Sequence, residues 1–176
     1  GLYVFEKMTI QSKSGPYNVS FELENLDNIF DKQEGGTHFL VDSNVAKIYK
    51  KSLSSILQNS NTLIVKAVEE NKSIEKIIPL IENLVKNRVR RNHVLIAIGG
   101  GIVQDITCFI ASTLLRGLEW RFVPTTLLAQ ADSCIGSKSS INLGSFKNIL
   151  GTFNPPKHIW IFPNFLKTLD KKDLQS

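Results

Sequence analysis

Cysteine is scarce in this chain: its 176 residues hold two, Cys108 and Cys134, and they form no CxxC pair. That argues against a disulfide framework or a zinc ribbon and fits a reducing, cytoplasmic setting, with both thiols read as buried and free. Histidine is sparse too, at three residues. His38, His93 and His158 are not spaced as metal ligands, so no metal site is expected in the chain. No apolar run reaches the length of a membrane span; the most apolar segment, 94–103, is short and carries three glycines. The N-terminus lacks the basic start and long apolar centre of a signal peptide, and it lacks an initiator Met. Gly1 therefore reads as a processing or cloning scar, or as a cut inside a longer chain. Internal repeats and low-complexity tracts are missing too.

What is present describes one globular domain with a real core. The hydrophobic fraction is 42% and the charged fraction 21%. The net charge is +5, but lysines and arginines are spread over most of the chain, and only Arg88, Arg90 and Arg91 cluster. They fall where a helix is expected to end, a position that favours cations. Nucleic acid is thus not the expected partner, whereas a modest positive excess suits ligands that carry phosphate.

Patterning predicts an N-terminal hairpin from extended stretches at 7–12 and 17–23. Apolar runs at 37–41, 63–65, 93–98, 120–123 and 158–162 read as buried strands. Helical spacing joins Val45, Ile48, Tyr49, Leu53, Ile56 and Leu57 in one helix, and Ile74, Ile77, Ile78, Ile81, Leu84 and Val85 in a second that Pro79 bends. Residues 102–115 form a buried helix, with short helices over 125–131 and 163–169. Strands that alternate with helices, without polar alternation of their own, predict an α/β fold: a Rossmann-like parallel sheet with helices on both faces. Ligands of such sheets bind at the carboxyl ends of the strands. The residues to watch are therefore Asp42, Glu69 to Lys72, Gly99 to Asp105, Thr125, Thr126 and a loop over 132–148.

Gly99-Gly100-Gly101 follows a strand and opens a helix, where glycine lets the backbone approach a pyrophosphate and the first helical N–H groups receive its charge. Alone, the same run also fits a tight turn without a ligand. It is neither a GxGxxG fingerprint nor a P-loop. Asp132, Lys138, Lys147 and Asn148 add a mixed-charge cluster suited to a polyhydroxylated phosphorylated ligand. Taken singly, the lysines are ordinary solvated side chains and Asp132 a helix cap.

Six motifs in order narrow the reading: Gly99-Gly-Gly-Ile-Val-Gln-Asp105, Leu115-Arg-Gly117, Val123-Pro-Thr-Thr-Leu-Leu-Ala-Gln-Ala-Asp-Ser133, Gly136-Ser-Lys138, Lys147-Asn-Ile-Leu-Gly151 and Phe165-Leu-Lys-Thr-Leu169. Together they closely resemble the 3-dehydroquinate synthase family of the sugar-phosphate cyclase superfamily, over the chain from about Thr37 onward. The resemblance implies NAD as cofactor, held by Gly100, Gly101, Ile102, Val103, Gln104 and Asp105, by Thr125 and Thr126, and by Phe165, Leu166, Lys167 and Thr168. Glu69 and Lys72 match the family's Glu-x-x-Lys-Ser-Leu-Glu element at the NAD site, and Asp42 a strand-end acid near the adenosine ribose. Lys138 and Lys147 match the two loop lysines. Asp132, Lys138, Lys147 and Asn148 fall on substrate-contacting positions. Arg116 matches an arginine that reaches the phosphate site, in some members across a dimer interface, so a homodimer is implied for the full-length form.

Family chemistry would turn 3-deoxy-arabino-heptulosonate 7-phosphate into 3-dehydroquinate and phosphate, in the shikimate pathway to aromatic amino acids, with NAD and a divalent metal, zinc or cobalt. The family's metal is held by a Glu just after the Phe-Leu-Lys-Thr segment and by two His in a following helical domain. The expectation is therefore an NAD-binding domain over 1–176 with a substrate loop over about 132–148, without the metal-binding helical domain and inactive alone. The sequence departs from the family's pattern at Gln104, at Ser137-Lys-Ser139 and at Leu143-Gly-Ser-Phe146. The last lies in the substrate loop, which keeps open the sister cyclases that make 2-epi-5-epi-valiolone or 2-deoxy-scyllo-inosose. A non-catalytic NAD-binding module is a further alternative. Iron-dependent alcohol and glycerol dehydrogenases carry Gly-Thr-Gly-Ser where this chain has Leu127-Leu-Ala-Gln130.

Overall fold

The computed structural model describes residues 6–12, 15–21, 36–126, 129, 138–162 and 165. Strands β1 (Glu6–Ser12) and β2 (Gly15–Phe21) form the expected antiparallel hairpin. Then come β3 (Thr37–Asp42), the short helices α1 (Ser43–Ile48) and α2 (Ser54–Gln58), and β4 (Thr62–Val65). A 3₁₀ turn at Glu69–Asn71 precedes α3 (Ile74–Lys86), β5 (Val94–Gly99) and α4 (Gly101–Thr113). The chain continues through a 3₁₀ turn at Leu114–Arg116, β6 (Glu119–Pro124), β7 (Lys138–Leu143), β8 (Phe146–Phe153) and β9 (His158–Ile161).

The main sheet has the order β1-β2-β9-β6-β5-β3-β4, parallel throughout except for β1 against β2. Its two faces are written into alternate residues. Leu40, Leu95, Ala97, Trp120 and Phe122 pack on one side with Ile77 and Leu84 of α3 and Val103, Ile106 and Ile110 of α4. Phe39, Val41, Ile96, Ile98 and Val123 pack on the other with Val45, Leu53 and Ile56. Both pleats of β3 and β5 are buried, so these strands have no polar alternation. Among the described residues no helix is long and apolar enough to cross a membrane.

Three expectations change. The single helix through Val45 and Leu57 is two helices, α1 and α2, joined by a turn. Val45, Leu53 and Ile56 are buried in that arrangement and would also share a face of one long helix, so spacing does not distinguish the two. Strand β4 is an edge strand, and Ile64 on it is half exposed rather than buried. The loop over 132–148 is, from Lys138 on, a β-hairpin of β7 and β8 laid on α4 by Ile141. Pro79 sits inside α3 as expected. It and Glu75, whose carbonyl its missing N–H leaves unbonded in the helix, both face solvent. The short helices expected over 125–131 and 163–169 lie mostly outside the described residues; Ala129 and Phe165 within them are helical.

Candidate functional site

Adjacent strands β3 and β5 send their following helices to opposite faces of the sheet, which opens a crevice between their carboxyl ends. Asp42 ends β3 and caps α1, its Oδ1 accepting from the Asn44 N–H at 2.7 Å. Gly99 ends β5 beside it. A Cβ at Gly99 would lie 2.9 Å from Val103 Cγ2 and 3.1 Å from Asp42 Cβ, so glycine is needed there for strand and helix to meet. Gly101 differs: a Cβ there would meet nothing within 4 Å. The α4 N-cap, Gly100, has no side chain to offer its helix, and the first intrahelical bond is Gln104 N–H to Gly100 O at 3.0 Å. The amides of Gly101, Ile102 and Val103 precede that bond and stand at the positive end of the helix. An uncapped helix start, a glycine facing open space and a sheet crevice fit a pyrophosphate.

Thr125 and Thr126 close the turn from β6. The Thr125 amide donates to Gly99 O at 2.9 Å, and the Thr126 methyl would be 3.3 Å from a Cβ at Gly100. The Thr126 hydroxyl accepts from the Ala129 amide at 3.1 Å. Phe165 is buried behind this edge, edge-on to Tyr49 at 4.4 Å between ring centroids.

Lys72 is the electrostatic centre of the site. Its side chain is 10% exposed, and Nζ lies 3.5 Å from Glu69 Oε1, 3.5 Å from Asp105 Oδ2 and 3.1 Å from Asn148 Oδ1. One ammonium thus ties together the segment after β4, the first turns of α4 and the β7–β8 hairpin. Glu69 is held below the usual carboxylate range, chiefly by the Asn142 amide that donates to it and further by the Lys72 and Lys147 cations, against a burial effect of opposite sign. Asp105 lies in the second turn of α4, where its carboxylate faces the Lys72 ammonium. Val103 and Gln104 are buried in α4, so their side chains serve packing while their amides lie near the turn.

The hairpin carries Lys147 and Asn148 in an irregular stretch. Between the pairs Ile141–Leu150 and Leu143–Phe146, the single residue Asn142 of β7 faces Lys147, Asn148 and Ile149 of β8. Asn148 adopts φ +56°, a left-handed conformation that asparagine tolerates better than most residues. Lys138 opens β7 at the base of the hairpin, opposite Phe153. Below the irregular stretch, hydroxyls fix the hairpin to α4: Ser139 Oγ and Ser112 Oγ lie 2.8 and 3.1 Å from Thr152 Oγ1. Cys108 is a buried free thiol whose pKa burial pushes up, and it donates to Asn154 O at 3.2 Å.

Glu69, Lys72, Asp105 and Asn148 are thus brought into contact, and Asp42, Gly100, Gly101, Ile102, Thr125 and Thr126 share their edge of the sheet. Arg116 is not brought there. It follows the far end of α4, roughly 20 Å from the glycine turn at 1.5 Å per residue, in a run of left-handed residues with Leu115 at +52°, Arg116 at +66° and Gly117 at +113°. Asp132, Leu166, Lys167 and Thr168 lie outside the described residues. Among the described residues no three His, Cys, Asp or Glu side chains gather as a metal site. His38 and His93 stack on each other at the amino ends of β3 and β5, with His38 Nε2 3.0 Å from His93 Nδ1. Asn142 fell within the watched loop over 132–148 but was given no role of its own; its signal was faint, a buried amide in a stretch whose alternation breaks.

Residues 62–176 match the family model described as 3-dehydroquinate synthase N-terminal. A 3-dehydroquinate synthase of Alkaliphilus oremlandii is 41% identical over 155 residues, covering 86% of this chain and 43% of that protein. Among solved structures, 2-epi-5-epi-valiolone synthase from Streptomyces hygroscopicus subsp. jinggangensis, with NAD+ and Zn2+ bound, superposes with TM-score 0.71 at 29% identity, over 85% of this chain and 43% of that one. A 2-deoxy-scyllo-inosose synthase complexed with carbaglucose-6-phosphate, NAD+ and Co2+ gives TM-score 0.77 over 92% of this chain and 47% of that one; at 24% identity this likeness speaks for the fold. The chain spans about half the length of the curated relatives it matches. With its crevice, glycine turn and polar cluster in place, the chain belongs to the 3-dehydroquinate synthase family, matching that family's N-terminal part.

Proposed function

We propose that this chain is the NAD-binding part of a 3-dehydroquinate synthase, a phosphate-eliminating carbon–oxygen lyase acting on 3-deoxy-arabino-heptulosonate 7-phosphate. The single observation that carries the reading is the junction at Lys72, where the segment after β4, the start of α4 and the β7–β8 hairpin share one buried cation. A cofactor crevice and a substrate-bearing hairpin are joined there within a few ångströms. When bound, NAD supplies a hydride acceptor that the reaction restores before it ends.

The remaining work falls to the chain's own groups. The amides of Gly101, Ile102 and Val103 receive the pyrophosphate, and Asp42 takes the adenosine ribose. Gly100, Gln104, Asp105, Thr125, Thr126, Glu69 and Lys72 line the nicotinamide side with Phe165, Leu166, Lys167 and Thr168. Asp132, Lys138, Lys147 and Asn148 orient the sugar phosphate, with lysine charge opposed to phosphate charge. The placement of Arg116 away from the glycine turn supports its use at the site of a second copy in a homodimer. The metal-holding helical domain of the full enzyme lies outside 1–176 in this reading, and the 176 residues alone release no phosphate.

The test is a chimera in which this chain replaces the N-terminal part of the Alkaliphilus oremlandii enzyme. With NAD and zinc it is expected to release phosphate from 3-deoxy-arabino-heptulosonate 7-phosphate. A chimera that folds and binds NAD yet acts only on sedoheptulose 7-phosphate or glucose 6-phosphate overturns the substrate assignment. Phosphate release by the 176-residue chain alone overturns the half-enzyme reading.

A further inference from the structure

Asn142 is 1% exposed, and its backbone N–H and both ends of its side-chain amide are hydrogen-bonded. Its N–H donates to Lys72 O at 2.9 Å, outside the hairpin ladder. Its Oδ1 accepts from the Asn148 N–H at 2.8 Å, and its Nδ2 donates to Glu69 Oε1 at 3.3 Å. The first side-chain bond replaces the ladder partner that the extra residues of β8 remove, and so holds Asn148 in its left-handed conformation. The second fixes the carboxylate that flanks Lys72. Asn148 Oδ1, held this way, is itself the nearest acceptor to Lys72 Nζ.

We infer that Asn142 is a positioning residue: one amide presets the Lys147–Asn148 bulge and the Glu69–Lys72 pair together, so that the cofactor side and the hairpin side of the site are aligned before either ligand arrives. The inference rests on the proposed NAD site. Asn142 acts through Asn148, Glu69 and Lys72, so its effect on NAD must vanish when Lys72 is removed.

The test uses the 176-residue chain, NAD as probe and calorimetric titration, with thermal unfolding to show that each variant is folded. N142L is expected to weaken NAD binding about tenfold at every pH, and by less than twofold in a K72M background. N142D, nearly isosteric, keeps an acceptor for the Asn148 amide but sets a carboxylate against Glu69. It is expected to bind about tenfold more weakly than wild type at pH 8 and to approach wild type by pH 5, where the new carboxyl is protonated and donates to Glu69 again. A residue that merely filled space would not give the background dependence, and a carboxylate acting only by its charge on NAD would weaken binding equally in the K72M background, so N142D is measured in both. Equal losses in the wild-type and K72M backgrounds overturn the inference, as does N142D binding that keeps a constant ratio to wild type across pH. If N142L fails to fold, the N142D profile decides. A folded wild-type chain that does not bind NAD at all contradicts the proposed function instead, which separates the two failures.

Discussion

Gly99 and Gly101 are two positions apart and are needed for different reasons. Around Gly99 the strand end, Asp42 and Val103 leave no room for a methyl group; around Gly101 there is only open space. G99A is therefore expected to cost about 1–3 kcal/mol of stability by overpacking, measured by denaturant unfolding. G101A, at the first position of α4, is expected to hold or slightly raise stability, since alanine is the better helix former. Its cost is expected to fall on NAD binding, because in the proposed site the methyl would enter the space assigned to the pyrophosphate. A G101A chain that binds NAD like wild type would remove the turn from the cofactor site.

His38 tests the other end of the sheet. The Arg90 amide donates to His93 Nδ1, so that nitrogen is an acceptor and His38 Nε2–H donates to it as well. His38 Nδ1 is then buried with no hydrogen-bond partner among the described residues. Burial first, and the neighbouring His93 second, lower the His38 pKa from 6.5 to about 4. Between those values the unfolded chain takes up a proton that the folded chain refuses, so stability is full above pH 6.5 and falls with acid down to about 4. About 1 kcal/mol is expected to be lost by pH 5.5, and H38Q, which keeps a donor toward His93, should lose at least half less. The lowered Glu69 carboxyl acts in the same direction but only below its ordinary value of 4.5, so the two windows are separable. An H38Q chain with the wild-type slope between pH 6.5 and 5.5 would contradict this assignment.

Among the elements, the β7–β8 hairpin depends most on contacts beyond its own ladder. At the tip the Gly144 amide donates to Glu75 Oε1 at 3.0 Å, in the middle Asn142 reaches Lys72, and at the base Ser139 and Thr152 bond to each other beside Ser112. E75A is expected to speed hydrogen exchange at Gly144 while leaving the β5 amides as slow as in wild type. Unchanged exchange at Gly144 would mean that the tip is held without Glu75. This hairpin was also the element least legible in the sequence. Ser139 and Asn142 look like loop residues because their side chains bond to the Thr152 hydroxyl, the Glu69 carboxylate and the Asn148 amide rather than pack on apolar side chains. The break in alternation at Asn142, which is what makes it useful, hid the strand. The parallel strands were easy to read for the opposite reason: burial on both faces left β3 and β5 as unbroken apolar runs. The split between α1 and α2 was invisible because either arrangement buries the same side chains. Lys72 was marked by its place after a strand and again by the family resemblance; that it bridges Glu69, Asp105 and Asn148 needed the fold.

Across the whole molecule, the proposed cofactor groups and the His38–His93 pair lie at opposite ends of the strands. The carboxyl edge collects Asp42, Gly99 to Asp105, Thr125 and, through Lys72, the hairpin. The amino edge holds the His38–His93 stack. Arg116 sits away from the glycine turn, beyond the C-terminal end of α4. In the proposed homodimer, R116A is expected to leave NAD affinity of each chain within twofold while reducing turnover of the full-length enzyme by at least tenfold. NAD affinity that falls in step with turnover would instead mean that Arg116 acts on the NAD site.

The central claim is the proposed NAD site, with Lys72 at its centre. The most direct measurement is a calorimetric titration of the wild-type chain with NAD, repeated with K72M. The expected result is one NAD bound per chain, with affinity lowered at least tenfold by K72M although that variant remains folded. A folded wild-type chain that takes up no NAD, or one whose NAD binding ignores the loss of Lys72, would contradict it.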